Sequence, residues 1–168
     1  VKRQVVEEQV FEKDGEDLVR REHSHNFYAI CEQTGSAFYF GEASSELDED
    51  SNVIATTGSW LAATNGARPG FIMPETRLVG GGYYEEIAPA DSALDKARIQ
   101  EITDGCEAGE FNFDKQCVKT FNTSDCDPDA AEEKVYAAGI GNVIDEDLEV
   151  TKLGFVKGHR HGHDHDND

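Results

Sequence analysis

The chain has 168 residues, a mass of 18.5 kDa and a formal net charge of -20. That length suits one domain with a real core, burying about 70% of the unfolded surface. Thirty-five acidic against fifteen basic residues argue against nucleic-acid binding and against docking on anionic lipid, since both need a basic face. No run approaches the roughly 18 apolar residues of a membrane span.

The start at Val1, without Met or a signal peptide, reads as a processed chain. Val1–Phe11 sets Val1, Val5, Val6, Val10 and Phe11 among charges. This β-branched segment reads as a strand, though neither alternating face is cleanly apolar. Asp14-Gly15 is a hairpin turn signal, and Leu18–Glu22 is the expected return strand. Two aromatic-rich runs follow, Asn26–Cys31 and Ala37–Gly41, with Thr34-Gly35 as a second turn. Ser44–Asn52 is acidic and reads as an exposed loop. Val53–Ala62, with the one tryptophan, Trp60, reads as a strand. Thr64–Gly70 is a turn cluster, and Phe71–Met73 stops at Pro74.

Gly80-Gly81-Gly82 precedes Tyr83-Tyr84. A phosphate loop needs its glycines ahead of a helix N-terminus, and a strand-like segment follows here, so backbone packing near a sheet is the reading. Pro89–Ile99 is the helix candidate, with Asp91 as cap and Ala93, Leu94, Ala97 and Ile99 at partial helical spacing. Cys117–Phe121, Lys134–Ala138 and Leu148–Val156 are strand-like. Many short strands and at most one short helix give a mainly β, antiparallel fold: a curved sheet, a sandwich or a half-barrel. The division is a strand over 1–12, a single β domain over 13–157 and a His/Asp-rich tail over 158–168. The expected core is Phe27, Tyr28, Ile30, Phe38, Phe40, Trp60, Tyr83, Tyr84, Val135 and Tyr136.

None of the four cysteines forms a Cys-x-x-Cys pair, so zinc ribbons and thioredoxin-type sites have no support. Three disulfide pairings are open, besides four free thiols. Cys106 and Cys117 flank Glu107–Gln116, a turn between two strands. That bridge is favoured and leaves Cys31 with Cys126. Disulfides indicate an oxidising compartment, hence an extracellular or cell-surface location. Asn122-Thr123-Ser124 is a glycosylation sequon.

Calcium or another divalent cation has three candidate sites. Asp48, Asp50 and Asn52 begin like an EF-hand loop, as do Asp125, Asp127 and Asp129, but both lack the later Gly and Glu. Irregular calcium loops stay open for each. In the tail, His159, His161, His163 and His165 alternate with acids and suit borderline divalent metals. No cofactor is required. His23 and His25 share one strand face but lack a partnered nucleophile and read as ordinary groups. No Gly-x-Ser-x-Gly is present, and Glu85-Glu86 pairs are expected by chance at this acidity. The expectation is a non-enzymatic protein.

From Asn26-Phe27-Tyr28-Ala29-Ile30 through Phe38-Tyr39-Phe40-Gly41-Glu42 the chain resembles a family of uncharacterised secreted bacterial β proteins. The likeness continues at Gly66-Ala67-Arg68-Pro69-Gly70, Ile72-Met73-Pro74 and Tyr83-Tyr84-Glu85-Glu86-Ile87-Ala88-Pro89, and ends at Lys134–Gly141. The chain departs at Ala90-Asp91, where the family has Gly-Val, and at Ala138, where it has Pro. The resemblance implies an extracellular or periplasmic sheet-rich fold and no catalytic residues. The last motif is similar to the end of lipoprotein-carrier half-barrels, which hold apolar ligands. The functional expectation is a structural subunit that associates with copies of itself, as a pilus-like filament. The exchanged strand is Val1–Phe11, with Val1, Val5, Val6, Val10 and Phe11 at the contact. The alternative is a monomeric half-barrel binding a lipid or other apolar ligand.

Overall fold

A computed structural model describes residues 2–153; Val1 and 154–168 lie outside the described residues. The expected mainly β, antiparallel fold is observed, as two open sheets. Strands β1 (Lys2–Asp14), β2 (Asp17–Ile30), β3 (Ala37–Leu47), β4 (Val53–Ala55), β5 (Trp60–Leu61), β6 (Arg68–Met73), β7 (Gly82–Tyr84) and β8 (Glu86–Ile87) come first. A 3-10 turn at Pro89–Asp91 leads to β9 (Asp95–Thr103), β10 (Cys106–Ala108), β11 (Phe111–Phe113), β12 (Cys117–Ser124), β13 (Ala131–Ala137), β14 (Gly141–Asp145) and β15 (Leu148–Glu149). The first sheet runs β1-β2-β3-β6-β8, with β4 and β5 also on β3. The second runs β15-β14-β13-β12-β9-β7, and β10-β11 forms a separate hairpin.

The Asp14-Gly15 signal gives a two-residue turn: Asp14 pairs with Asp17 and Gly15 takes φ 63°, a left-handed value that favours glycine. The two expected strands Leu18–Glu22 and Asn26–Cys31 are one continuous β2. The expected loop at 44–52 is shorter, because β3 continues through Leu47. Val53–Ala62 breaks into β4 and β5 around a turn at Thr57-Gly58.

The helix expected over Pro89–Ile99 is absent beyond its first turn. Ser92 is left-handed at φ 60° and ends it. Ala97 and Ile99 are buried on β9 while Arg98 and Gln100 are exposed. That is a strand's two-residue period rather than a helix's. Of the segment expected at Leu148–Val156, only Leu148–Glu149 is a strand among the described residues.

The sheets join at Glu85, between β7 and β8. Its N–H donates to the Asp95 carbonyl at 2.8 Å. Ala88 and Ala93 close the joint with paired backbone bonds of 2.7 and 3.1 Å. Gly70 is required there, since a Cβ at that position would sit 2.1 Å from the Glu85 carbonyl oxygen.

Two apolar clusters form. Tyr39, Trp60, Ala67, Ala88 and Ala93 pack near the joint, with Tyr28, Ala62 and Ile72 against them. Ala108, Cys117, Ala137 and Val143 pack beneath the β10-β11 hairpin, with Phe113, Val135 and Val150 alongside. Of the expected core, Trp60 is buried; Phe27, Tyr28, Phe38, Tyr83, Val135 and Tyr136 are half-buried. Ile30, Phe40 and Tyr84 are exposed, which corrects the expectation. Ile30 ends β2. Phe40 is the unpaired residue of a bulge, since Phe27 faces Gly41 and Tyr28 faces Tyr39. Tyr84 points outward, its hydroxyl donating to Asp125 Oδ2 at 3.1 Å.

Candidate functional site

The inner faces of the two sheets meet along a seam that is polar. On β2 this face carries Glu22, Ser24, Asn26 and Tyr28. Pairing sets Glu8 of β1 beside Ser24, and Glu42 and Tyr39 of β3 beside Asn26 and Tyr28. Asn26 Nδ2 donates to Glu8 Oε2 at 3.2 Å. The Tyr39 hydroxyl lies 2.5 Å from Asn26 Oδ1 and 3.1 Å from Glu42 Oε2. The single phenolic proton is shared between these two acceptors, with the Asn26 oxygen the nearer. Burial, with the nearby Glu22 and Glu8 charges adding to it, pushes Glu42 up to about 7 despite the Tyr39 bond. Glu8, although exposed as a residue, is raised, first by desolvation of its carboxyl near Asn26 and then by Asp145 of the opposite sheet.

On the second sheet Asn122 Nδ2 donates to Glu85 Oε2 at 2.5 Å, and the Thr120 hydroxyl donates to Asn122 Oδ1 at 2.7 Å. Glu85 is 6% exposed, and its Oε1 has no partner among the described residues. Burial lifts Glu85 to about 7, with Asp95 adding while Lys134 and Asn122 oppose. Glu86 rises to about 8 through burial, then through Asp95 and Glu42. The Trp60 indole N–H opposes that rise, although it reaches no acceptor at hydrogen-bond distance.

Lys134 is the seam's cation, 3.1 Å from Glu132 Oε2 and 3.2 Å from Asp145 Oδ2. Burial alone would pull its ammonium down; Asp145, Glu132 and Glu85 outweigh that and hold it above its usual range. Glu85, Asp95, Asn122, Glu132 and Lys134 border a cavity of about 30 Å³. The seam is thus a store of protons on carboxyls that burial keeps partly neutral.

Elsewhere the sites expected from sequence are dispersed. Cys106–Cys117 forms the expected disulfide. The second pairing does not form: Cys31 and Cys126 are free thiols, one in the β2–β3 turn and the other in the β12–β13 turn of the opposite sheet. Asp48 spends its carboxylate on its own loop, accepting the Asn52 backbone N–H at 2.8 Å and its amide at 3.0 Å. Asp50 is exposed, and its backbone also bonds the Asp48 carboxylate. Asp125 pairs with Lys96, and Asp127 accepts the Asp129 backbone N–H at 3.0 Å. Among the described residues neither acidic triplet brings three side-chain carboxylates together.

The sequon is corrected too. Asn122 is buried with its amide nitrogen committed to Glu85, so the folded chain offers no nitrogen to a glycan. His159, His161, His163 and His165 lie outside the described residues, as does Val1. Val5, Val6, Val10 and Phe11 sit on β1, paired along its length with β2 of the same chain.

One cluster was not expected. Glu7, His23 and His25 come together on the outward face of the β1-β2 hairpin, each offering a ligand atom within 4.8 Å of the others. The alternation of His23 and His25 was visible in sequence; the partner from β1 was not.

The fold and seam define an open two-sheet antiparallel β protein with an acidic interior. The chain matches no protein-family model, no curated protein and no solved structure.

Proposed function

We propose that this chain is a non-enzymatic structural subunit that works outside the cell and joins copies of itself through β1. The observation that carries the reading is the open edge of the first sheet. β1 runs thirteen residues, pairs with β2 on one side only, and ends the sheet on the other. Its unpaired N–H and C=O groups are a template for strand addition by a second copy. Val5 and Phe11 are 59% and 49% exposed along it. The opposite end of the array, β15, has only two residues, so β1 is the longer edge available. A head-to-tail contact that does not close yields a filament. Copies carrying a charge of -20 repel one another, and divalent cations would relieve that repulsion. The Cys106–Cys117 bridge favours an oxidising compartment.

The alternative, an apolar ligand held between the sheets, is the weaker reading because carboxyls and tyrosines line the seam and its cavity is about 30 Å³; the larger cleft, about 610 Å³ at Val79, Ile99 and Phe121, also takes in exposed Arg98 and Gln100. A drug-sized ligand needs about 300 Å³ or more.

The test is the mass of the native particle by light scattering, with and without EDTA, for the wild type and for Val5→Glu/Phe11→Glu. The expected result is a particle many times 18.5 kDa that the double variant reduces to monomer. A wild type that stays monomeric with millimolar calcium overturns the proposal.

A further inference from the structure

A three-ligand site for a divalent transition metal lies on the outer face of the β1-β2 hairpin: we propose that Glu7, His23 and His25 bind one such ion. Residues two apart on a strand share a face, so β2 presents both imidazoles together, their ring centroids 4.8 Å apart. Cross-strand pairing sets Glu7 directly opposite His25. His23 Nε2 already lies 3.0 Å from Glu7 Oε1. The Gln9 amide donates to the same oxygen at 3.0 Å. Gln9 stands directly opposite His23 and braces the carboxylate through this oxygen, leaving Oε2 without a side-chain hydrogen bond among the described residues.

The neighbouring strand leaves room above the rings. His23 and His25 pair across β3 with Ser45 and Ala43, two small side chains on the same face. Both histidines are half-buried and sit on a strand paired on both sides, and Glu7 lies on paired β1, so all three ligands are held by the sheet rather than by a loop.

The donor set selects the class of ion. Two imidazole nitrogens and one carboxylate oxygen suit zinc and its borderline neighbours copper, nickel and cobalt, whereas calcium and magnesium prefer all-oxygen shells. Ligand–metal distances of about 2.0–2.2 Å require the three atoms, now within 4.8 Å of one another, to draw in by a small side-chain rotation. Three protein ligands leave a fourth position open, the pattern of an exchangeable site rather than a closed structural one. The overall charge of -20 raises the local cation concentration at such a face. An outer group that holds a ligating carboxylate, as Gln9 holds Glu7, tunes the affinity of the site.

The test is zinc titration of the full chain by calorimetry, together with thermal melting, for the wild type, His23→Gln/His25→Gln and Glu7→Gln. The tail histidines are present in all three proteins and cancel in the comparison. The double variant should bind one equivalent of Zn2+ fewer. Zinc should raise the melting temperature of the wild type and not that of the double variant, because an ion bound to the folded hairpin stabilises it. Glu7→Gln, at an exposed residue, should weaken the site by about tenfold or more while melting like the wild type without metal. Equal zinc stoichiometry and equal melting shifts in all three proteins overturn the proposal.

Discussion

The seam between the sheets and the cluster beneath the β10-β11 hairpin are stabilised by opposite means. The hairpin cluster is small and apolar: Ala108, Cys117, Ala137 and Val143 are 1–3% exposed, and a disulfide ties the hairpin down. The seam buries Ser24, Asn26, Ser44, Glu85, Thr120 and Asn122 instead. A polar group taken from water costs stability unless it is paired, and a carboxyl without enough partners meets that cost by taking a proton. The hairpin end should therefore be indifferent to pH and sensitive to reductant, and the seam the reverse.

Raising the pH should loosen the seam. Glu42 and Glu85 sit at about 7 and Glu86 at about 8, against 4.5 in the unfolded chain. The folded state therefore holds more protons between those limits. Its stability is greatest below about 4.5 with respect to these groups and is lost as pH rises through 7 to 8. The shift of Glu85 alone corresponds to about 3 kcal/mol. Glu7 and Asp125, both exposed, and half-buried Asp48 act in the opposite sense, being lowered by hydrogen bonds from Gln9, Lys96 and Asn52 respectively. Their contribution fades only in acid below that window. Trp60, the one tryptophan, packs at the seam, so its fluorescence reports there. The melting transition it follows should come at lower temperature at pH 8.5 than at pH 5.5, and Glu85→Gln should flatten the difference. A melting temperature that rises with pH in this range would contradict the protonated seam.

Removing the disulfide should act on the other region. The bridge closes a separation of 11 residues, and a loop of that size contributes about 3 kcal/mol by restricting the unfolded chain. Cys106→Ala/Cys117→Ala should lose about that much in denaturant unfolding, by the same amount at pH 5.5 and 8.5. A loss that depends on pH would mean that the hairpin and the seam share one cooperative network.

How much of this was legible follows from where polarity alternates. The turns at Asp14-Gly15 and Thr34-Gly35 and the cysteine loop carry local signals, and they gave the hairpins and the first disulfide. The seam carries none. β2 places Glu22, Ser24 and Asn26 inside with Arg21, His23 and His25 outside, so its two faces are equally polar and hydrophobic alternation cannot tell them apart.

The metal cluster was hidden by a bulge. Counting back from Asp14 opposite Asp17 without interruption pairs Glu7 with Ser24, on the buried face. The register shift between Val10 and Phe11 adds Arg21 to β2 as an unpaired residue and turns Glu7 to face His25. A one-residue slip exchanges the faces of a strand, and nothing local in Gln9–Glu12 announces it. The helix expected after Pro89 failed for a related reason. Ala93, Leu94, Ala97 and Ile99 satisfy a helical spacing loosely, and two of them a strand spacing strictly. Pairing with β12 decides between the two.

The smallest expected effect is also the one that separates burial from hydrogen bonding within the seam. Asn122 gives Glu85 its one side-chain bond and receives another from Thr120. Asn122→Ala leaves both Glu85 oxygens and the Thr120 hydroxyl without those partners, which should cost about 1–3 kcal/mol. The cost should not be uniform in pH. The Asn122 N–H favours the ionised carboxylate, and so works against the rise that burial imposes on Glu85. Without it the folded-state value climbs further above 7, and the pH at which stability begins to fall is unchanged while the fall continues to higher pH. The variant should lie closer to the wild type at pH 5.5, where Glu85 is already protonated, than at pH 8.5. Equal losses at both values would show that the amide serves packing alone and that desolvation by itself sets the protonation of Glu85.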